Sequence, residues 1–325
     1  MSKPVALYYS MMQYQPENLA RLSELFELEV LPTPAEDSPQ LLARVEVLFA
    51  PLGYQVDRAK IDATPHLKVI ASNTTGHPHI DVAYAQSRGI DVACLKFAQG
   101  FLDTITPTAE LTWGLIIALT RHLGPAQRSV LEGKWDRRPF GAPAMLSSLS
   151  LGIIGLGRLG GMVARYAKAF GMQDVRYYDI AEKPPLAGVR RVDSLAALVD
   201  GCDIVTLHAP HEPENEGMIS RDLLARFKPG SWFINTARGE LLDWSALLDG
   251  LQSGRLAGAA LDVFQGEFEP GFQAGFPNHP VLEYARTHDN LLFTPHIGGS
   301  TIDAWRLTEG HTLDMVEAFL KGKPL

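Results

Sequence analysis

Three glycines in the middle of the chain constrain its fold more than any other feature. They stand in the run Gly155-Leu156-Gly157-Arg158-Leu159-Gly160, which follows an apolar stretch at 151–154 and precedes apolar residues at helical spacing as far as Phe170. Between a strand and a helix, the first glycine permits the turn, the second lets a pyrophosphate approach, and the third lets helix and strand pack closely. The helix N-terminus adds backbone N–H donors and the positive end of the helix dipole, and Arg158 and Leu159 are expected among the cofactor contacts. Glycine-rich turns are common, but this context predicts a dinucleotide site.

An acidic residue refines the cofactor prediction. A second apolar run, 175–178, ends on Asp179, which lies roughly 20 residues past the last glycine, where a ribose-binding acid is expected. A carboxylate there accepts hydrogen bonds from the adenosine ribose hydroxyls and repels the 2′-phosphate of NADP. The sequence therefore predicts NAD. Arg176 and Lys183 flank the acid, so the degree of preference over NADP stays open.

Strand-like and helix-like segments alternate along the whole chain, which predicts an α/β protein with two doubly wound parallel sheets. Before the glycines, candidate strands lie at 5–9, 27–31, 45–50, 67–72 and 90–94; from the glycines onward, six more lie at 151–154, 175–178, 203–207, 231–235, 258–263 and 291–294. Thr106 and Pro107 form an N-cap and N1 pair that opens a helix to about Leu123. We predict a cofactor domain at 104–297 and a substrate domain at 1–103 plus 298–325, with a last helix at 302–320 packing on the substrate domain.

Composition narrows the class of protein. The 325 residues suffice for about two domains. A net charge of −8 and a pI near 5.7 argue against a partner such as nucleic acid or an anionic membrane. Cys94 and Cys202 lie far apart, without disulfide or metal-ligand spacing. The longest apolar stretch, 111–119, is too short to span a bilayer, and no signal peptide pattern opens the chain, so the expected location is the cytoplasm.

Three side chains that suit carbonyl chemistry follow predicted strands of the second sheet. Arg238, Glu267 and His296 come after the strands at 231–235, 258–263 and 291–294. Ligands of open α/β sheets bind outside the carboxyl ends of strands, so the three are expected at one edge. Arginine matches a carboxylate bidentately, and histidine can move a proton to or from a carbonyl oxygen. Taken singly, each could be an ordinary surface residue. His208 and His211 also follow a strand, but we expect their loop beside the adenosine end of a bound nucleotide.

Five segments in register resemble the D-isomer-specific 2-hydroxyacid dehydrogenase family. They are 155–160, Leu207-His208-Ala209-Pro210, Asn235-Thr236-Ala237-Arg238-Gly239-Glu240, Leu261-Asp262-Val263-Phe264 with Glu267, and Thr294-Pro295-His296-Ile297-Gly298-Gly299-Ser300. The resemblance implies a flavodoxin-like substrate domain, a Rossmann dinucleotide-binding domain and NAD as cofactor. It implies that Arg238 binds the substrate carboxylate and carbonyl, that His296 is the acid/base, and that Glu267 orients it. The implied cofactor contacts beyond the glycine turn and Asp179 are His208, Ala209, Pro210, Thr236, Ala237 and Asp262.

The first half resembles the family more loosely. Residues 67–72 followed by Asn73-Thr74-Thr75-Gly76-His77-Pro78-His79-Ile80-Asp81 match the family's substrate loop, which implies that the N–H groups of Thr75 and Gly76 contact the substrate carboxylate. The segment from Pro107 to Glu110 resembles the one that approaches the nicotinamide through Thr108, although Leu111 replaces the usual histidine. Residues 147–150 also depart from the usual Gly-Lys-Thr. The resemblance further implies a homodimer, with the 106–123 helix and Trp113 at its interface unless Trp113 belongs to the core.

The predicted function is reversible hydride transfer between NADH and a small 2-oxoacid, the reverse direction oxidising a D-2-hydroxyacid. Two alternatives remain: an NADH-sensing regulatory protein of the same fold, and oxidation of a small inorganic anion such as phosphite. Leu52, Gly53 and Tyr54, expected around the substrate side chain, include no arginine, which disfavours a phosphorylated substrate. The identity of the acid, the physiological direction and the role of 268–288, whose Phe272 or Phe276 would face a partner or the cleft, stay open.

Overall fold

The computed structural model describes residues 3–77, 79–269 and 271–323, without the side chains of Phe97 and Gln99. Pro78 of the predicted substrate loop and Pro270 of the 268–288 span lie outside these residues. The chain divides into two compact units: the first contains 1–105 and 300–325, and the second contains 106–299. Each unit is built on one parallel β-sheet.

The first unit carries, in the part of the chain that is described, a five-stranded parallel sheet of order β2-β1-β3-β4-β5. This is the order of doubly wound flavodoxin-like sheets. Its strands are β1 (Val5–Tyr9), β2 (Glu27–Leu31), β3 (Val47–Phe49), β4 (Val69–Ser72) and β5 (Asp91–Cys94). Its helices in this part of the chain are α1 (Pro16–Leu25), α2 (Pro39–Leu42), α3 (Arg58–Asp62), α4 (Val82–Ser87) and α5 (Gln99–Leu102).

The second unit carries, over its described residues, a seven-stranded parallel sheet. Its strands are β6 (Leu151–Ile154), β7 (Val175–Tyr178), β8 (Val189–Arg191), β9 (Ile204–Leu207), β10 (Ser231–Asn235), β11 (Leu256–Leu261) and β12 (Leu291–Phe293). Its helices are α6 (Pro107–Thr120), α7 (Leu123–Leu131), α8 (Arg158–Ala169), α9 (Leu195–Gly201), α10 (Arg221–Arg226), α11 (Trp244–Gln252), α12 (Phe272–Gly275) and α13 (Pro280–Thr287). The strand order β8-β7-β6-β9-β10-β11-β12 begins with the 3-2-1-4-5-6 order of dinucleotide-binding sheets.

The second sheet is buried on both faces, which explains why its strands read as continuous apolar runs. Successive side chains of a strand point to opposite faces. Ile153 accordingly joins the layer of α6 and α8, whereas its neighbour Ile154 joins the layer of α9, α10 and α11. A parallel sheet covered in this way lacks the polar alternation of a half-exposed sheet.

The last helix, α14 (Ile302–Leu320), returns to the first unit. Thr301 caps it by accepting a hydrogen bond from the Ala304 amide. Leu313 and Val316 are fully buried in the layer formed with Ala6, Phe49 and other strand residues.

Two elements differ from the expectations. The prediction of six strands in the second sheet missed β8, a three-residue edge strand whose Arg190 and Arg191 are exposed. The helix expected at 106–123 ends at Thr120, and α7 begins after His122, whose φ is +53°. None of the helices in the described part of the chain combines the length and apolar character needed to cross a membrane.

Candidate active site

The glycine turn joins β6 directly to α8, which begins at Arg158. Gly155 has a φ of +88°, and a Cβ atom there would lie 2.9 Å from the His208 carbonyl oxygen. A Cβ on Gly160 would lie 2.0 Å from the Gly155 carbonyl oxygen, so a side chain cannot be accommodated at this position. A Cβ on Gly157, by contrast, would meet no atom within 4 Å. The first and third glycines thus permit the turn, and the second leaves open space at the helix N-terminus.

Asp179 stands at the end of β7 and is buried. Its Oδ2 accepts a hydrogen bond from the Leu156 amide at 2.8 Å, and its Oδ1 accepts one from the Ala181 amide at 2.9 Å. The Lys183 ammonium lies 3.4 Å from Oδ1. Asp179 is therefore held against the glycine turn, with a cation beside it, at the point where the fingerprint places the ribose.

The loop after β9 lies against the glycine turn, because β9 pairs with β6. The expected place of the loop beside the adenosine end of a nucleotide stays a prediction. In chain order β9 is the fourth strand of this sheet, because β8 precedes it, and it borders the switch point. Ala209 and Pro210 follow His208 there, with Pro210 exposed. His208 Nε2 lies 2.9 Å from Thr206 Oγ1, and burial lowers the pKa of His208 to about 4. His208 is partly exposed to solvent. Its Nδ1 and the Nε2 of His211 are nevertheless buried, and neither has a hydrogen-bond partner among the described residues.

These features fit a dinucleotide. Gly155 and Gly160 permit the tight turn, and Gly157 leaves open space at the N-terminus of α8 that a Cβ would enter. In the neighbouring loop, His208 Nδ1 and His211 Nε2 have no partner among the described residues. An anion at a helix N-terminus is stabilised by the amide groups and by the helix dipole.

Arg238 belongs to the loop that follows β10. The buried Asn235 side chain shapes this loop, since its Oδ1 accepts from the Ala237 amide at 2.9 Å and its Nδ2 donates to the Arg238 carbonyl at 2.8 Å. The Arg238 guanidinium donates through Nη1 to the Ala237 carbonyl at 2.6 Å. The side chain is half-buried, so part of its planar fork is available to a carboxylate.

His296 and Glu267 meet after β12 and β11. His296 Nδ1 lies 2.8 Å from Glu267 Oε1, and the side chains are 31% and 12% exposed. The N–H direction departs from hydrogen-bond alignment, and neither atom has a hydrogen-bond partner among the described residues. The contact becomes an ion pair when the imidazole is protonated. The centroids of the Phe268 and His296 rings lie 5.3 Å apart, and the ring planes are tilted by 55°.

Asp262 fixes the loop that carries His296. Its Oδ1 accepts from Thr294 Oγ1 at 2.6 Å and from the Ile297 amide at 2.9 Å, and its Oδ2 accepts from the Gly298 amide at 2.7 Å. His296 itself has a φ of +53°, which is uncommon for a residue with a Cβ. The three bonds to a buried carboxylate hold this backbone on both sides of the histidine.

A chain of hydroxyl groups connects α6 to the Arg238 loop. Thr236 Oγ1 lies 2.8 Å from Thr112 Oγ1, which donates to the Thr108 carbonyl at 2.8 Å. Thr108 also borders Gly298, where a Cβ would lie 3.2 Å from its methyl carbon. Thr108, Thr236, Ala237 and Asp262 therefore lie around the same carboxyl edge as Arg238 and His296.

The predicted substrate loop of the first unit follows β4. Thr74 Oγ1 donates to the Gly76 carbonyl at 2.6 Å and lies 2.7 Å from Ser72 Oγ. Within the described residues the amide groups of Thr75 and Gly76 donate no hydrogen bond. They remain available as donors, and their contact with a substrate stays a prediction.

The structure gives the packing of three aromatic side chains whose place the sequence left open. Phe272 and Phe276 are partly buried and pack on the buried Phe264, with centroid distances of 5.6 and 5.1 Å, so they extend the core of the second unit. Trp113 is also core: it stacks on Phe170 at 4.6 Å and its Nε1 donates to the Val163 carbonyl. The Pro- and Gly-rich sequence of 268–288 carried no periodicity that would have revealed the inward packing.

The chain is similar to known proteins in sequence and in fold. A family model for the NAD binding domain of D-isomer specific 2-hydroxyacid dehydrogenases matches residues 113–298. The D-3-phosphoglycerate dehydrogenase of Methanocaldococcus jannaschii is 35% identical over 305 residues, which cover 93% of this chain and 55% of that protein. The glyoxylate reductase of Thermofilum pendens is 35% identical over 285 residues, covering 86% and 79%.

The fold agrees over nearly the whole chain. The structure of D-lactate dehydrogenase from Aquifex aeolicus, complexed with NAD and lactic acid, is 28% identical and superposes with a TM-score of 0.83 over 98% of this chain and 96% of that one. The chain spans little more than half of the Methanocaldococcus protein. The family model and the two relatives assign the chain to the D-isomer specific 2-hydroxyacid dehydrogenase family.

Proposed function

We propose that the chain is an NAD-dependent D-2-hydroxyacid dehydrogenase that interconverts a small 2-oxoacid and the D-2-hydroxyacid. The observation that carries the proposal is the 2.8 Å contact between His296 and Glu267 at the same sheet edge as the glycine turn and Arg238. A proton-transfer pair, a carboxylate-binding fork and a dinucleotide cradle together suit reduction of an oxoacid.

Arg238 binds the substrate in this proposal. Its guanidinium exchanges the Ala237 carbonyl for the substrate carboxylate and places a fixed positive charge beside the carbonyl oxygen. Charge that develops on that oxygen during reduction is then stabilised by a group already in position. The free amides of Thr75 and Gly76 are proposed as further donors to the carboxylate.

His296 supplies the proton. Because Nδ1 faces Glu267, Nε2 is the nitrogen that donates to the carbonyl oxygen in reduction and accepts the hydroxyl proton in oxidation. Glu267 holds the ring and balances its charge while the proton is present. Asp262 keeps the loop in register through its three hydrogen bonds.

The glycine turn, Arg158, Leu159, Asp179, the 208–210 loop, Thr108, Thr236 and Ala237 are proposed to hold the cofactor. When bound, the nicotinamide supplies the hydride to the carbonyl carbon or accepts it from the hydroxyacid. Asp179 favours NAD, whereas Lys183 at 3.4 Å partly offsets its negative charge. We therefore propose a preference for NAD.

The experiment is an activity panel. The purified protein is assayed with NADH and with NADPH against glyoxylate, pyruvate, hydroxypyruvate and bulkier 2-oxoacids. Phosphite is assayed in the oxidative direction with NAD⁺ and with NADP⁺ as hydride acceptors. Sustained NADH oxidation with a 2-oxoacid supports the proposal. Tight NADH binding without turnover of any substrate would instead identify a nucleotide sensor, and turnover of phosphite alone would identify a dehydrogenase of inorganic anions.

We further propose a homodimer formed through the second unit. Helix α7 buries none of its residues, Leu131 is 76% exposed, and Trp135 beyond it is 91% exposed. Apolar side chains grouped in this way mark interaction surfaces. Trp113 is enclosed in its own unit, which is the alternative left open for it, so the proposed interface rests on the exposed residues of α7 and not on this side chain. Light scattering should give twice the chain mass, and a monomer at micromolar concentration would contradict the proposal.

A further inference from the structure

Glu240 connects the two loops that carry Arg238 and Glu267. It follows Arg238 in the short 3-10 turn Gly239–Leu241, and its Oε1 accepts a hydrogen bond from the Gly266 amide at 3.1 Å. Gly266 directly precedes Glu267. A single side chain therefore ties the backbone beside the carboxylate-binding arginine to the backbone beside the partner of His296.

The two loops also touch through their backbones. A Cβ on Gly239 would lie 2.2 Å from the Gln265 amide nitrogen and 2.2 Å from the Phe264 carbonyl carbon, so no side chain separates them. The Gly239 carbonyl accepts from the buried Trp244 Nε1 at 3.0 Å, which fixes this contact from the core side. Glu240 therefore approaches Gly266 from a backbone that is already anchored.

Glu240 is held at its own backbone as well. Its carbonyl accepts from the Gly217 amide at 2.9 Å, and the next carbonyl, of Leu241, accepts from the Ile219 amide at 2.9 Å. The turn at 264–267, which the Glu240 side chain supports, is closed by a long hydrogen bond. The Glu267 amide reaches the Phe264 carbonyl only at 3.4 Å, longer than a usual backbone hydrogen bond. The Glu240 carboxylate thus provides a shorter bond to this turn than the turn's own closing bond.

We propose that Glu240 is a positioning residue for the Glu267–His296 pair, an inference that rests on the proposed dehydrogenase function. It acts through the Gly266 amide, and it touches neither substrate nor imidazole. Displacement of catalytic groups by about 1 Å can cost on the order of 10²-fold in rate. Loosening one hydrogen bond of the supporting turn should cost less, about tenfold in kcat.

The experiment compares three variants at this position. Glu240→Ala removes the acceptor, Glu240→Gln keeps a carbonyl oxygen at the same distance without the charge, and Glu240→Asp draws the acceptor back by one methylene. We expect kcat to fall about tenfold in E240A, to be largely restored in E240Q, and to be reduced in E240D. The KM for NADH should stay unchanged. The pH profile of kcat should shift in E240A, because Glu267 no longer holds a fixed position beside His296. The carboxylate of the nearby Glu269 can then also interact with the imidazole.

The matched control is Ser194→Ala. Ser194 Oγ accepts from the Ala197 amide at 3.1 Å and caps α9, so this variant also removes one side-chain acceptor of a backbone amide in the same unit. It should lower Tm while leaving kcat and its pH profile unchanged. The proposal is overturned if E240A keeps the wild-type kcat and pH profile, if E240A and E240Q lose activity equally, or if only KM changes.

Two further readouts keep the test decisive. If E240A does not fold, the contrast between active E240Q and impaired E240D decides. If the wild-type protein turns over no 2-oxoacid, the proposed function fails independently of the positioning role. The effect of the Glu240–Gly266 hydrogen bond on His296 is then measured through the imidazole proton chemical shifts of His296 at a fixed pH. These should change in E240A or E240D but not in E240Q; identical spectra in all three would overturn the positioning role.

Discussion

The two units share a winding pattern but differ in the turn after their first strand. In the second unit, β6 passes through three glycines into α8, which begins at Arg158. In the first unit, β1 passes into a 3-10 turn at Ser10–Met12, then through Gln13 with a φ of +49°, and α1 begins only at Pro16. The turn after the first strand thus carries side chains in the first unit and consists largely of glycine backbone in the second.

The difference shows that topology alone does not make a nucleotide site. A switch-point edge exists in both sheets, but a phosphate needs free amides at a helix N-terminus and room to approach them. Pro16 has no N–H to offer at N1, and the longer turn, with Met11 and Met12, separates strand from helix. The charged side chains that suit chemistry likewise follow β10, β11 and β12 in the second unit.

The largest expected effect tests whether the chemistry resides in the second unit. His296→Ala should lower kcat on the best 2-oxoacid by about 10²–10⁴-fold, because the proton donor is lost. NADH affinity, measured by fluorescence titration, should change little. The matched control is His288→Ala, an exposed histidine of the same unit, which should keep kcat. Near-wild-type turnover in His296→Ala would show that the acid/base lies elsewhere.

Glycine substitutions test the turn directly. Gly160→Ala should lower the free energy of unfolding by roughly 1–3 kcal/mol, since its Cβ meets the Gly155 carbonyl, and should weaken NADH binding about tenfold. Gly157→Ala should leave Tm unchanged, because a Cβ at this position would meet no non-neighbouring atom of the described residues within 4 Å. It should still weaken NADH binding, because the methyl group occupies the space into which the pyrophosphate is expected to fit. Calorimetry of binding and unfolding separates the two. Equal Tm losses in both variants would contradict the distinct roles of these glycines.

Arg238→Lys tests the carboxylate fork. A lysine keeps the positive charge but presents a point charge in place of two parallel donors, so kcat/KM should fall about tenfold. NADH affinity should be retained, and glyoxylate and larger oxoacids should be affected alike, because each carries the same carboxylate. Unchanged catalytic efficiency would rule out the bidentate role.

The smallest expected effect is a pH dependence of the free energy of unfolding that arises from one buried histidine in each unit. Burial lowers the pKa of His79 in the first unit and of His208 in the second to about 4 in each case. Above pH 6.5 both are neutral, folded or unfolded; as the pH falls from 6.5 towards 4 only the unfolded chain takes up protons, so stability is lost on acidification. Each histidine should cost about 1 kcal/mol at pH 6. Denaturant titrations of His79→Gln and His208→Gln should each show a weaker pH dependence; an unchanged dependence in either would show that its imidazole is not buried neutral.

Much of the fold could be predicted because the information is local. Apolar runs gave most strands of both sheets, and the last helix was predicted at 302–320, the bounds that α14 has in the structure. The edge strand β8 could not be predicted, because it is three residues long and its arginines face solvent. Edge strands pack on one side only, so their sequence lacks the continuous apolar run of a central strand.

The candidate site divides in the same way. Arg238, Glu267 and His296 could be placed at one edge because parallel strands end together. Contacts between residues distant in sequence could not: the bond from Glu240 to Gly266 joins positions 26 apart, and the grip of Asp262 on the His296 loop spans up to 36. No local pattern predicts which carboxylate will reach which amide.

The grip of Asp262 has a consequence for engineering. Asp262 holds the His296 loop through the backbone amides of Ile297 and Gly298. Because a backbone amide donates whatever side chain its residue carries, position 297 can be substituted. Position 298 cannot, because it has no room for a Cβ. Ile297 is 43% exposed, whereas any Cβ at 298 would come within 2.8 Å of the carboxylate. A library that diversifies residue 297 can therefore vary the surface beside the imidazole without displacing the imidazole itself.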